Sequence, residues 1–255
     1  MAPNSFDDQY NDCDHDMEKT LMDPTQSDFA SQQEFVNIWN LLRSRWKQTQ
    51  GSPNVSRNFG ESYAVAITAY TSRGALYRKF NEAVREGGES TDQYHHSFPF
   101  KSFHFLLTKA HQALKSSCRT VYRGIKDLRF NVSDPRKPIR FGQFASSSLK
   151  KEVAERYGKD TFFTIQTCLG VNISHFSFHP YQEEVLIPPY EVFRVVSIRE
   201  KGAHIELKAN GTHSNFNCGL KSGAAPSALT PGLPTSLLLW GSLLFSGTLH
   251  STGTL

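Results

Sequence analysis

An α+β fold is predicted by a change of grammar at Cys118. Helical periodicity precedes it, short β-branched and aromatic runs follow it, and Gly, Pro and Asn separate those runs. Helices gathered in one half and strands in the other imply a helical N-terminal portion packed on a mainly antiparallel β-sandwich. The chain has 255 residues, 38% of them hydrophobic, which suffices for a sizeable core. The expected layout is one domain over 1–220, mainly helical in 1–117 and mainly β in 118–220, with a Ser/Gly/Pro-rich tail over 221–255.

In the first half, Ser31-Gln32-Gln33-Glu34 has the form of a capping box, and Phe35, Ile38, Trp39, Leu42 and Trp46 then recur at helical spacing until Gly51. Leu76, Phe80 and Val84 form a second stripe, stopped by Gly87-Gly88. Pro99, as a first-turn residue, opens a third, with Phe100, Phe103, Leu107, Ala110 and Leu114 on one face. These aromatic stripes are read as core. In the second half the strands are Thr120 to Arg123, Phe162 to Ile165, Val185 to Ile187, Tyr190 to Ile198 and His204 to Leu207, with a helical turn or two over Lys150 to Tyr157.

Three segments carry chemistry: Tyr122-Arg123-Gly124, Phe144-Ala145-Ser146-Ser147-Ser148-Leu149, and Gln182-Glu183-Glu184-Val185-Leu186-Ile187-Pro188. Together they can bind and cleave a dinucleotide. The planar fork of Arg123 can hold phosphate oxygens bidentately. Gly124 lets a ligand approach the backbone closely, the serines supply orienting hydroxyls, and Glu184 can face developing positive charge. Each also has a plainer reading: a surface ion pair for Arg123, a helix N-cap for Ser146 to Ser148, a solvated strand end for Glu183-Glu184. No Gly-x-Gly-x-x-Gly lies between a strand and a helix and there is no Walker sequence, so a Rossmann mode of dinucleotide binding is excluded.

The net charge of +4 is made of interspersed charges without a Lys/Arg stripe, which argues against a nucleic-acid partner. The four cysteines, at 13, 118, 168 and 218, have no CxxC spacing and suit either disulfides in an oxidising compartment or buried thiols. Sequons at Asn54, Asn131, Asn172 and Asn210 agree with the oxidising compartment. Asp12-Cys13-Asp14-His15-Asp16 lacks the Gly and distal Glu of a calcium loop, so no metal is expected there. Met1 to Tyr10 contains no apolar segment of a signal peptide. Ser222-Gly223-Ala224, a polar spacer and the apolar run Leu237 to Phe245 have the layout of a GPI lipid-anchor signal, although the run is too short to span a bilayer and the end is polar.

The three segments, in this order, resemble the Arg-Ser-Glu signature of the arginine-type ADP-ribosyltransferases, especially the vertebrate ecto-enzymes. The resemblance extends over Ser5 to Tyr10, Ala69-Tyr70-Thr71, Phe100 to Thr108, Arg140 to Phe144, Thr167 to Gly170 and Asn215 to Cys218, roughly residues 5 to 220. It implies an enzyme that cleaves NAD+ or NADP+ as substrate, with no further cofactor. Arg123, Ser146 and Glu184 would be catalytic, and Gly124, Ser148 and Tyr157 would join them in binding NAD, with Gly124 reading the nicotinamide carboxamide and Tyr157 stacking on its ring. It further implies Cys13–Cys218 and Cys118–Cys168 as the disulfide pairs, of the three pairings that four cysteines allow, and an extracellular enzyme, secreted or anchored by lipid, whose signal peptide lies upstream of Met1. One residue departs from the pattern. Arginine-specific members have Glu two positions before the catalytic Glu, where this chain has Gln182, which cannot carry charge or accept a proton. Gln182 and its neighbour Tyr181 are therefore the residues expected to specify the acceptor, which is water, the enzyme itself or protein arginine. A second class of function is a catalytically silent surface glycoprotein that keeps the fold for recognition.

Overall fold

The computed structural model describes residues 2–21, 23–49, 59–72, 74–199 and 203–218. Its helices are α1 (Asp14–Leu21), α2 (Gln33–Thr49), α3 (Glu61–Tyr70), α4 (Leu76–Glu86), α5 (Thr91–Ser97), α6 (Lys101–Ala113) and α7 (Lys151–Glu155). Its strands are β1 (Arg119–Ile125), β2 (Ala145–Ser148), β3 (Thr161–Thr167), β4 (Val171–Asn172), β5 (Glu184–Ile187), β6 (Glu191–Arg199) and β7 (His204–Thr212). The tail, with its anchor-like layout, and Asn54 lie outside the described residues.

The helical half is organised by its apolar stripes. Phe35, Trp39 and Leu42 of α2, Leu76, Phe80 and Val84 of α4, and Phe103, Leu107 and Ala110 of α6 are all buried in one core. Phe80 meets Phe103 edge-on at a centroid distance of 4.8 Å and stacks on Phe144, which leads into β2, at 5.9 Å. The helix boundaries differ from the sequence expectation by one or two residues. The first hydrogen bonds of α2 run from Phe35 and Val36 to the Gln32 carbonyl, so the cap falls on Gln32 and not on Ser31. Phe100 caps α6, which leaves Pro99 outside the first turn. Three helices carry no sequence signal of the kind used above. In α3 the residues Ala64, Val65, Ala66, Ile67 and Ala69 are all buried, so no polar face marks a stripe. α1 and α5 are short, and α5 is capped by Ser90, whose side chain accepts from Gln93 N at 3.0 Å.

The strands are hydrogen-bonded as one seven-stranded sheet in the order β4-β5-β2-β1-β3-β7-β6. Every pairing is antiparallel except β3 with β7. A second core, with Val121, Ala145, Phe163, Ile165, Val185, Phe193 and Ile205 among its members, is built from strand residues alone. The serine triplet forms β2 and does not cap a helix, because β1 and β5 bond it on both sides. β1 runs two residues beyond Arg123, which therefore lies inside the strand and does not end it. β7 continues through Asn210-Gly211, where the sequence suggested a break.

The first and last described segments are locked together. The Asp7 carboxylate accepts from the backbone N of Asn215 (2.7 Å) and Phe216 (3.0 Å) and pairs with buried Arg140. Cys13 is bonded to Cys218 across 205 residues of sequence, and Cys118 to Cys168 across 50.

Candidate functional site

The neighbouring strands β5, β2 and β1 bring the three sequence segments side by side. Ser148 is the register partner of Glu184 on one side and of Tyr122 on the other. Between these strands and the α3–α4 connection lies a cavity of about 490 Å3, lined by Arg123, Gly124, Ser146, Ser148, Tyr157, Tyr181, Gln182 and Glu184 among others. All the residues assigned above to catalysis, NAD binding and acceptor choice thus border one space.

Glu184 opens β5 and is only 9% exposed. Burial raises its carboxyl pKa above the usual glutamate value, and hydrogen bonds from Ser146 and Ser177 with the positive charge of Arg123 partly offset that rise. The Ser177 hydroxyl lies 3.4 Å from its Oε2. Local backbone geometry separates it from Glu183. A 3-10 turn over Pro180–Gln182 ends on Glu183 in the left-handed region, with φ 46°. The chain reverses at that residue, and the Glu183 side chain pairs with Lys150 at 2.7 Å while Gln182 and Glu184 line the cavity.

Arg123 is half-buried, and burial lowers its pKa against the raising influence of Tyr70, Tyr77 and Glu184. Its Nη1 donates to the Ser146 carbonyl, which ties β1 to β2 at the cavity floor. Its Nε is buried without a hydrogen-bond partner among the described residues. The two other serines act as clasps: Ser147 Oγ donates to the Val185 carbonyl at 2.8 Å, and Ser148 Oγ donates to the Gln182 carbonyl at 2.6 Å. Ser148 therefore holds the turn that carries Gln182.

Gly124 has a packing reason as well. A Cβ there would lie 2.2 Å from the Ala154 carbonyl oxygen and 2.4 Å from that of Gly158. The backbone of α7 and its following turn fills the side where a Cβ would project, so this glycine lets a helix sit against β1 while it also borders the cavity. Tyr157, just beyond α7, accepts a hydrogen bond from Gln182 Nε2 at 2.7 Å. Tyr181 is 59% exposed at the mouth.

Sequence reasoning gave no role to Tyr70, Tyr77, Arg78 or His179, which also line the cavity. Tyr70 is buried, donates to the Phe144 carbonyl at 3.0 Å and accepts from Asn81 Nδ2 at 3.0 Å, bracing the entry to β2. The only trace of it was its place in the Ala69-Tyr70-Thr71 block. Among the described residues no group of three or more His, Cys, Asp or Glu is placed to hold a metal, and Asp14 of the acidic cluster pairs with Lys109 at 2.7 Å. Asn131, Asn172 and Asn210 are exposed.

Residues 1–215 match the family model described as ART: NAD:arginine ADP-ribosyltransferase. The mouse GPI-linked NAD(P)(+)-arginine ADP-ribosyltransferase 1 is 41% identical over 262 residues, covering 96% of this chain and 81% of the mouse protein. Its human counterpart is 43% identical over 237 residues, covering 86% and 72%. A crystal structure of a variant of the eukaryotic mono-ADP-ribosyltransferase ART2.2 in complex with NAD has a TM-score of 0.75 and 40% identity, covering 86% of this chain and 96% of that one. With sequence, fold and family model in agreement along nearly all of the described chain, it belongs to the NAD:arginine ADP-ribosyltransferase family and is an NAD-dependent ADP-ribosyltransferase.

Proposed function

We propose that the cavity cleaves NAD+ by the combined action of Arg123, Ser146 and Glu184, and that water is a major acceptor of the ADP-ribosyl group. Rupture of the glycosidic bond sends its electron pair to nicotinamide and leaves an oxocarbenium-like ribose, as in glycoside hydrolysis. Glu184 bonds a ribose hydroxyl and holds negative charge beside that ribose. Its burial makes the charge more effective, since little water screens it. Arg123 holds the pyrophosphate oxygens with guanidinium N–H groups other than the one its Nη1 gives to the Ser146 carbonyl. Ser146 orients Glu184 and the ribose, Gly124 contributes backbone groups to the nicotinamide carboxamide, Ser148 fixes the turn, and Tyr157 covers the nicotinamide ring.

The observation that carries this reading is the convergence of a buried, raised-pKa Glu184 with Arg123 and Ser146 on one cavity. Gln182 decides the acceptor. An arginine acceptor must lose a proton as its nitrogen attacks, and Gln182 supplies no base at the position where a carboxylate serves arginine-specific enzymes. Tyr181, exposed at the mouth, gives a guanidinium a flat surface worth roughly 0.5 to 1 kcal/mol. Arginine on the protein itself or on surface proteins is the minor acceptor. The enzyme acts outside the cell, secreted or held by a lipid that replaces the tail, with glycans at Asn54, Asn131, Asn172 and Asn210.

The test is incubation with labelled NAD+, with and without an arginine analogue. Free ADP-ribose should dominate in both, and Gln182→Glu should raise the share of ADP-ribosyl-arginine about tenfold, the scale of one charged contact of about 1.4 kcal/mol. Efficient arginine transfer by the Gln182 enzyme would overturn the assignment of acceptor choice to this position.

A further inference from the structure

Tyr157 and Gln182 reach each other from two different segments that line the cavity. Tyr157 follows α7, whose Ala154 carbonyl accepts its backbone N–H at 3.1 Å, and α7 is seated on β1 through Gly124. Gln182 ends the 3-10 turn that Ser148 Oγ holds through the Gln182 carbonyl at 2.6 Å. Both backbones are therefore fixed independently of their side chains, and the 2.7 Å bond from Gln182 Nε2 to Tyr157 Oη joins two anchored segments. Neither side chain is deeply buried, and both border the space that contains Glu184.

We propose that Tyr157 is a positioning residue for acceptor choice, acting through Gln182, so that the pair and not residue 182 alone sets the partition between water and arginine. The inference rests on the reading of the cavity as the site of NAD cleavage. An amide has one donor end and one acceptor end. With Nε2 given to Tyr157, Oε1 is left for the acceptor, where it can receive an N–H of a guanidinium. Transfer then forms the bond from ribose C1′ to the guanidinium nitrogen as the C1′–nicotinamide bond breaks with its electron pair on the departing nicotinamide, and it releases one proton from the guanidinium, which goes to solvent because the amide cannot take it. The Gln182→Glu substitution changes the sense of the contact. Both oxygens of the new carboxylate are acceptors, so Tyr157 must turn its hydroxyl and donate. That bond stabilises the carboxylate and weakens it as a base.

The same tyrosine hydroxyl thus helps arginine transfer when residue 182 is the native amide and hinders it when that residue is a carboxylate. The test is a cycle of four proteins: wild type, Tyr157→Phe, Gln182→Glu and the double variant. Each is incubated with NAD+ across a range of agmatine concentrations. The readout is the ratio of ADP-ribosyl-agmatine to free ADP-ribose, in which any change in NAD binding or total turnover cancels.

Tyr157→Phe should lower the ratio about threefold or more in the wild-type background and raise it by a similar factor in the Gln182→Glu background, the non-additivity of directly bonded residues. Effects of equal sign, or no effect in either background, overturn the proposal, as does the absence of agmatine transfer in all four proteins. When the two proteins that retain Gln182 transfer nothing, the two that carry Gln182→Glu decide alone: a rise on loss of the hydroxyl supports the proposal and an unchanged ratio refutes it. Failure to release nicotinamide from NAD+ in any of the four would instead overturn the reading of the cavity on which it rests.

Discussion

Glu184 carries its charge against the preference of its surroundings, and two measurable consequences follow at the scale of this residue. Burial raises its pKa above the usual 4.5, so the folded protein holds that proton more readily than the unfolded chain does. The sign is that of a raised group: its favourable contribution to folding is present at low pH and is lost as pH rises through the folded pKa. Near neutrality the ionised carboxylate is thus a cost to stability, and Glu184→Gln should melt no lower than wild type; a clear drop in melting temperature would show that the carboxylate is structural. Catalysis needs the ionised form and has the opposite sense. The acid limb of kcat/KM for NAD+ should fall as pH falls, with a midpoint above 4.5. A midpoint at or below the ordinary glutamate value would deny Glu184 that role.

At the scale of elements, α7 and the glycine beneath it connect packing to function. A methyl group at position 124 meets two backbone carbonyls within 2.4 Å, and neither can yield without moving the helix that precedes Tyr157. Gly124→Ala should destabilise the fold by about 1 to 3 kcal/mol, the range for overpacking, and should shift Tyr157 away from Gln182. Thermal denaturation checks it; an unchanged midpoint would mean that α7 is free to slide.

Elements whose own residues carry the pattern were legible: the apolar stripes of α2, α4 and α6 recur at helical spacing, and β1, β3, β5 and β6 are rich in branched and aromatic residues. Elements made by their neighbours were not. α3 buries Ala64 to Ile67 in unbroken succession and shows no stripe, and three serines have little strand propensity until β1 and β5 bond them on both sides. The segments around Arg123, Ser146 and Glu184 were visible because their residue types carry chemistry. Tyr70 was not, since its contribution comes from hydrogen bonds to Phe144 and Asn81, 74 and 11 residues away.

At the scale of the whole molecule, the two ends of the described chain form a latch whose residues are not among those that line the cavity. Asp7, Arg140, Asn215 and Phe216 form its polar part and Cys13–Cys218 its covalent part. The disulfide closes a loop of 205 residues and should be worth about 2 to 5 kcal/mol. Replacing both Cys13 and Cys218 by Ser should lower the melting temperature under non-reducing conditions while leaving NAD+ cleavage measurable at low temperature. Loss of cleavage in a protein that is still folded would show that the latch reaches the site.

The central claim is that Glu184, held with Arg123 and Ser146 on the neighbouring strands β5, β2 and β1, provides the charge that lets the glycosidic bond of NAD+ break. Nicotinamide release from NAD+ by wild type and by Glu184→Gln, each shown to be folded by its circular dichroism and melting curve, tests it most directly. Removal of a preorganised charge of this kind raises the barrier by about 3 to 4 kcal/mol, so release should fall by roughly 10² to 10³. Turnover at the wild-type rate by a folded Glu184→Gln protein would contradict the claim.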